Sequence, residues 1–136
     1  MADRDALTDI EYRALARFRF ALRVFLKFSE DAARDAGVTP SQHQLLLAVR
    51  GFPGGAPTIT EVAEWLQLRH HSTVELIDRA VESGWLVRRT DPEDRRRQRL
   101  GLTRRGARVL AALSTVHQEE LRRFREEMSE VLRELG

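Results

Sequence analysis

The sequence predicts a mainly α-helical chain that carries one small two-stranded β-wing. Three observations lead there. Apolar residues recur at helical spacing along most of the 136 residues. Helix-start signals stand at Thr39, Thr58 and Thr103. Between Trp85 and Leu102 the helical spacing gives way to two short alternating runs around an arginine-dense turn, Asp94-Arg95-Arg96-Arg97.

The totals narrow the class further. A length of 136 residues with 42% hydrophobic content suits one core, a single domain over 1–136, and is short for two ordinary domains. Cysteine is absent, which excludes disulfides, thiolate metal sites and thiol-based redox sensing. No apolar run approaches the roughly 18 residues that cross a bilayer. The start, Met1-Ala2-Asp3-Arg4-Asp5, shows no cationic region leading into an apolar core, so no secretory signal, no membrane partner and a cytoplasmic location are expected. The net charge is only +2, yet nine Arg between 88 and 108 face just Asp91, Glu93 and Asp94, a local balance of +6 against −4 elsewhere. Such polarity is the footprint of a phosphate-binding face. Lys27 is the only lysine, and arginine suits bidentate contact with phosphate or guanine. Base composition can account for the general preference for Arg, but not for its clustering.

Residues 8–36 read as one amphipathic helix. Leu15, Phe18, Leu22, Phe25, Ser29 and Ala32 trace one stripe, and Phe20, Val24 and Phe28 a second beside it. Together they make a face wider than one packing partner requires. Gly37 stops this helix. Thr39-Pro40-Ser41-Gln42 then offers an N-cap, a proline suited to the first helical position and a capping box, ahead of an apolar face of Leu45, Leu46, Leu47 and Val49. Phe52-Pro53-Gly54-Gly55-Ala56-Pro57 is a loop with room for a short edge strand before Thr58.

Thr58-Ile59-Thr60-Glu61 is a second capping box, with Ile59, Val62, Ala63 and Leu66 on one face of a short helix. Gln67-Leu68-Arg69 turns the chain into another helix, from about His70 to Ser83, that buries Thr73, Leu76, Ile77 and Ala80 and ends at Gly84. This is helix-turn-helix spacing. A strand over Trp85–Arg89, a turn over Thr90–Asp94 and a return strand over Arg99–Leu102 complete a wing. Thr103 caps a last helix whose stripe runs through Leu110, Leu113, Leu121, Phe124, Met128, Val131 and Leu135. Unbroken from 104 to 135 it spans about 48 Å; a break near 114–118 fits the pattern equally well. Neither terminal helix can bury its stripe within so small a chain, so residues 8–36 and 107–136 are expected to form a homodimerisation layer, with Leu15, Phe18, Leu22, Leu121, Phe124, Met128 and Val131 in it.

The order of elements resembles the MarR family of winged-helix transcriptional regulators. The resemblance covers roughly residues 38–110, with the DNA-binding winged helix itself over 38–106. Its most specific part is Asp94-x-Arg96-x-x-x-Leu100-x-Leu102-Thr103-x-x-Gly106 preceded by Asp91-Pro92-Glu93; Thr58-x-x-Glu61-x-Ala63 and Asp78-Arg79 … Gly84 also match. It implies a homodimer on double-stranded DNA with a pseudo-palindromic operator. Recognition helices would enter successive major grooves about 10 base pairs apart, and wings would reach the adjacent minor grooves. A small-molecule effector near the junction of the dimerisation and DNA-binding parts would alter the separation of the recognition helices.

On the wing, Arg95, Arg96 and Arg97 are the candidate DNA contacts. Arg96 matches the family's wing arginine and suits a narrow minor groove, while Asp94 orients it. On the recognition helix the candidates are His70, His71, Ser72, Val74 and Glu75. The first three can donate to phosphate or base acceptors, Val74 can pack on a thymine methyl, and Glu75 can accept from cytosine N4 or pair with Arg79. Arg69 departs from the family in standing where a capping hydroxyl is usual. His71 and Glu75 lack a third metal ligand, so no metal and no cofactor are expected; His43 and His117 read as ordinary helix residues. Trp65 lies off its helix's stripe, where it either lines an effector pocket or covers a neighbouring helix.

The expected function is a dimeric, sequence-specific DNA-binding regulator, a repressor relieved by an effector. The alternatives are a non-specific architectural DNA-binding protein or a winged-helix protein-interaction module without DNA binding. No phosphate loop, metal set or nucleophilic grouping suggests an enzyme.

Overall fold

In the computed structural model, which describes residues 6–136, the elements are α1 (Asp9–Asp35), α2 (Pro40–Gly51), α3 (Ile59–Leu66), α4 (His70–Glu82), β1 (Leu86–Thr90), β2 (Gln98–Leu102) and α5 (Arg104–Leu135). The N-terminal five residues, on which the expectation about a secretory signal rests, lie outside the described part. The mainly helical chain with a two-stranded wing is the fold class read from the sequence. It forms two compact units, one from residues up to Ala32 and from Thr115 onward, the other from Ala33–Ser114.

In the second unit the helix starts are built as their sequences suggest, with one difference. Thr58 and Glu61 form a complete capping box: the Thr58 hydroxyl accepts from the Glu61 N–H at 3.2 Å, and the Glu61 carboxylate accepts from the Thr58 N–H at 3.0 Å. At α2 the Thr39 hydroxyl accepts from the Gln42 N–H at 3.1 Å, but the Gln42 side chain donates to the Leu76 carbonyl of α4 at 3.1 Å instead of closing a box. A buried amide finds a better partner across the core than at its own helix end. Leu47, expected on the apolar face of α2, is exposed; Leu45, Leu46, Ala48 and Val49 are the apolar residues this helix buries, beside Gln42 and His43.

Gln67 adopts a left-handed φ of 57° and turns the chain from α3 into α4. Arg69 occupies the N-cap position of α4 and gives no side-chain cap, so this start depends on the tight turn before it. Strands β1 and β2 pair antiparallel, with Leu86 opposite Leu102 and Arg88 opposite Leu100. Leu86 and Leu100 join Leu45, Leu46, Val49, Val62, Ile77, Ala80 and Leu110 in one core, so the wing is rooted in the same apolar cluster as the helix-turn-helix. The edge strand expected before Thr58 amounts to a single bridge, Thr58 to Arg99, with the Leu100 N–H donating to the Pro57 carbonyl at 2.9 Å.

Thr103 links the wing to α5. Its hydroxyl donates to the Gly84 carbonyl at 2.6 Å and accepts from the Gly106 N–H at 3.0 Å. Gly106 sits so close to Trp85 that a Cβ built on it would lie 2.1 Å from the Trp85 carbonyl oxygen. That carbonyl cannot retreat easily, because it accepts the Thr103 N–H at 3.0 Å while the Trp85 N–H is held by Ala80. The small residue read from the sequence is therefore required by a backbone approach. Helix α5 is continuous through 114–118, which settles the question left open by its pattern.

In the first unit the seam of α1 differs from the expected stripes. Ala14 and Ala21, which belong to neither stripe, are buried there together with Ser29 of the first stripe, while Leu15, Phe20 and Val24 stay exposed. Small residues let two helices approach closely, and the larger side chains flank the seam. His117 is buried in it, with Nε2 2.8 Å from the Ser29 hydroxyl and its ring edge-on to Phe25 and Phe28. At the far end Arg17 is clasped by Glu127, Glu130 and Glu134.

Gly106→Ala should lower stability by about 3 kcal/mol or more, because the added methyl must displace backbone. Denaturant unfolding checks this against Gly101→Ala, whose Cβ meets only Val87 Cγ1 at 3.8 Å and which should lose less than about 1 kcal/mol.

Candidate nucleic-acid interface

The interface candidate is assembled from the start of α3, the start of α4 and the wing turn. His70, His71, Ser72 and Glu75 are exposed on α4, and Val74 is half-buried. His71 Nε2 lies 3.2 Å from Glu75 Oε1, so Glu75 is paired with the residue one turn before it and not with Arg79. The pair stays in solvent, where it contributes little to stability. Among the described residues no group of three His, Cys, Asp or Glu could hold a metal ion.

The wing turn is held by its acidic residues. The Asp91 N–H donates to the Arg97 carbonyl, and the Arg97 N–H to the Asp94 carbonyl, each at 3.0 Å. The buried Asp91 carboxylate accepts from the Glu93 N–H at 2.9 Å and from Arg99 Nε at 3.1 Å. The Glu93 N–H, with help from Arg99, holds this carboxyl below its usual pKa. Asp94 accepts from the Nε and the backbone N–H of Arg96, both at 3.1 Å; the Arg96 side chain is the larger cause of its lowered pKa. Glu61 is lowered too, first by the Thr58 N–H and further by Arg99 and Arg97. These carboxylates are engaged inside the turn and the cap. Arg96 itself remains almost fully exposed, at 91% of its side chain.

Arg99 also donates from Nη1 to the Ala56 carbonyl at 2.8 Å. Ala56 has a φ of 40°, a region that disfavours residues with a Cβ by about 1–2 kcal/mol. The arginine thus braces a strained loop as well as the wing turn.

These elements enclose an open cleft of about 700 Å³. Its wall includes Thr58 to Glu61 of the α3 start, His70, and Arg95 to Arg99. Of the candidate residues, the structure brings His70 together with Arg95, Arg96 and Arg97; His71, Ser72, Val74 and Glu75 continue along α4. Trp65 is 54% exposed and meets Phe52 edge-on at 5.5 Å. Among the candidates for a dimer layer, Leu15 and Leu121 are exposed, Phe18, Leu22, Phe124 and Met128 half-buried, and Val131 buried within its own unit. Sequence reasoning missed the parts of Asp91 and Arg99. An Asp-Pro turn start was a signal for Asp91, since such a side chain commonly accepts from the N–H two residues on. Nothing local marked Arg99.

A helix-turn-helix followed by a β-hairpin on a shared core is the winged helix-turn-helix fold. The MarR family model matches residues 36–97, and over that stretch the chain is similar to the MarR family of transcriptional regulators. Two relatives agree. A Thauera aromatica protein described as a transcriptional regulatory protein for the hcr operon is 30% identical over 70% of this chain and 56% of its own length. The HTH-type transcriptional regulator YkoM of Bacillus subtilis is 28% identical over 77% of this chain and 69% of its own. The chain thus spans little more than half of the first relative. Among solved structures, the MarR family transcription regulator SP03579 superposes with a TM-score of 0.72 at 27% identity, covering 85% of this chain and 75% of that one. The MepR–DNA complex of S. aureus shares the fold, with a TM-score of 0.65 at 19% identity over 88% of this chain and 98% of MepR. Family and fold are those of regulators, not of enzymes. Among the described residues no helix is long and apolar enough to cross a membrane.

Asp91→Asn should destabilise the protein most at neutral pH. The Asp91 pKa is lowered on folding from an ordinary 3.8, so its charge stabilises fully above that value and is lost as pH falls through the folded pKa. Thermal unfolding of both forms from neutral to about pH 3 should show the gap between them narrowing below about pH 4.

Proposed function

We propose that this chain is a dimeric, sequence-specific DNA-binding regulator, acting as a repressor in the cytoplasm and relieved by a small-molecule effector. The observation that carries the reading is the shared cleft: His70 at the start of the recognition helix and Arg95 to Arg97 of the wing line one concave surface. Four arginines there, Arg99 included, face Glu61, whose carboxylate is already bound to the Thr58 N–H. A surplus of guanidinium groups beside a helix start suits a phosphate backbone. That MepR, of the same fold, has been solved with DNA supports DNA as the partner.

In this reading Arg96 enters the minor groove, with Asp94 limiting its rotamers, and Arg95 and Arg97 meet phosphate. His70, His71 and Ser72 contact backbone or base acceptors, while Val74 and Glu75 contribute to base choice. Glu75 reaches a base only by leaving His71. Leu15, Phe18, Leu22, Leu121, Phe124 and Met128 contact the second copy, and Val131 supports them from inside its own unit. Trp65 is the candidate wall of an effector site, its exposed face free to take an apolar ligand.

Selection of bound sites from random duplex should return a pseudo-palindrome with half-sites about 10 base pairs apart. Affinity for that site should exceed affinity for random duplex by on the order of 10³ at equal salt. Arg96→Ala should weaken operator binding by about tenfold or more; equal binding by both proteins in a titration would remove the wing from the interface. Sedimentation equilibrium should give a dimer for the native chain and a monomer for Leu15→Glu/Leu121→Glu, since a charge placed at the centre of an apolar contact is strongly penalised. A monomeric native chain at micromolar concentration contradicts the dimer.

A further inference from the structure

Arg99 lines the same cleft as Arg95 to Arg97 but differs from them in what it already holds. Its Nε donates to Asp91 Oδ2 at 3.1 Å and its Nη1 to the Ala56 carbonyl at 2.8 Å. The Asp91 side chain is only 5% exposed, so the acid's end of this ion pair is closed to water. Arg96, by contrast, leans on Asp94 two residues before it and keeps nearly all of its side chain in solvent. A planar guanidinium that satisfies two acceptors in fixed directions has little freedom left to follow a phosphate. The cleft therefore holds arginines of two kinds, those that reach outward and one that is engaged inside the protein.

Arg99 joins segments that the core does not. Ala56 lies two residues before Thr58, the N-cap of α3. Asp91 opens the wing turn, and its N–H donates to the Arg97 carbonyl at 3.0 Å. The main chain repeats the connection: Arg99 forms an antiparallel bridge with Thr58, and the Leu100 N–H donates to the Pro57 carbonyl at 2.9 Å. Side chain and backbone at one position thus tie the wing turn to the start of the helix-turn-helix. Leu86 and Leu100 root the base of the hairpin in the apolar cluster, whereas Thr90 and Gln98, the last pair before the turn, are exposed. A two-stranded hairpin held only at its base has little stability of its own.

We propose that Arg99 is a positioning residue for DNA binding. It touches no DNA. It fixes the wing turn against the start of α3, and so sets how far along the duplex Arg96 meets the minor groove from the bases read by α4. This role rests on the proposed function; the clamp itself does not. The fork of the guanidinium is what the role requires. Lysine keeps the charge but ends in a single Nζ on a flexible stem, which does not hold two acceptors in one plane. A residue that merely met phosphate would tolerate that exchange, because either cation can neutralise a phosphate oxygen.

Arg99→Lys in the full chain tests the role with and without DNA. Without DNA, amide hydrogen exchange at Asp91 and Arg97, whose N–H groups close the wing turn, should quicken by about tenfold or more. Val62 and Ile77 in the core should keep their rates. With DNA, sites selected from random duplex should carry the same central half-site bases as those of the native chain. They should lose the fixed distance from those bases to A·T-rich flanks. Affinity for the native operator at equal salt should fall by about tenfold. In an Arg95→Ala/Arg96→Ala/Arg97→Ala background the same exchange should change affinity by less than about twofold, because no wing arginine is left to position. The role is overturned if the wing amides exchange as in the native chain, or if Arg99→Lys binds the operator as tightly as the native chain. It is overturned too if the loss is equal in both backgrounds, for then Arg99 acts on DNA directly. Misfolding of the variant would show itself at Val62 and Ile77; Asp91→Asn, which breaks the same pair from the other side, then serves for the three comparisons. A native chain that selects no duplex contradicts the proposed function and, with it, any part of Arg99 in DNA binding. That result is distinct from failure of the role alone, in which the native chain selects sites and Arg99→Lys selects them equally well.

Discussion

Arg99 makes two hydrogen bonds, to the buried carboxylate of Asp91 and to the Ala56 carbonyl, and these join three segments with little regular structure of their own. The wing turn, the return strand and the strained loop before α3 take their relative positions from that one guanidinium. A two-stranded hairpin is marginal in isolation. Here it is secured at its base by Leu86 and Leu100 in the core and toward its tip by the Arg99–Asp91 pair. Removing either partner would leave a buried or half-buried charge without its counterpart, a larger loss than the pair's net contribution.

The basic surface owes its strength to where the acids are as much as to the number of arginines. Asp91, Asp94 and Glu61 each accept backbone N–H groups. They stay ionised while serving as local turn and cap partners. Asp94 holds Arg96 near the turn, which narrows the directions its guanidinium explores without neutralising the neighbouring Arg95. Preorganised arginine loses less freedom on meeting phosphate than a free one.

The first unit divides its apolar residues between two environments. Ala14, Ala21 and Val131 are sealed within it, whereas Leu15, Phe20, Val24, Leu121 and Leu132 are exposed. Such a concentration of exposed large apolar side chains is unusual for a surface left to water. It is the physical ground for reading the terminal helices as an interface between copies. His117 adds a polar contact inside the seam, where its bond to Ser29 fixes how the two helices meet.

The sequence by itself determined the elements, because what starts, stops and patterns a helix or a hairpin lies within a few residues. Thr39, Thr58 and Thr103 marked the starts, Gly84 an end, and the 94–106 motif marked the wing turn, its two inward residues and the glycine under Trp85. Most of the candidate interface was legible for the same reason: a basic turn and the residues at a helix start are local features. Tertiary structure decided the partners. It took Gln42 from its own helix end to Leu76, gave Glu75 to His71, turned Leu47 outward, and chose Ala14 and Ala21 for the seam although small residues carry weak hydrophobic signal. It alone brought Arg99 to Ala56 and Arg89, since 43 residues separate the first pair. Short-range rules say nothing about such contacts; they exist only once the core has closed and the surviving polar groups must find what lies within reach.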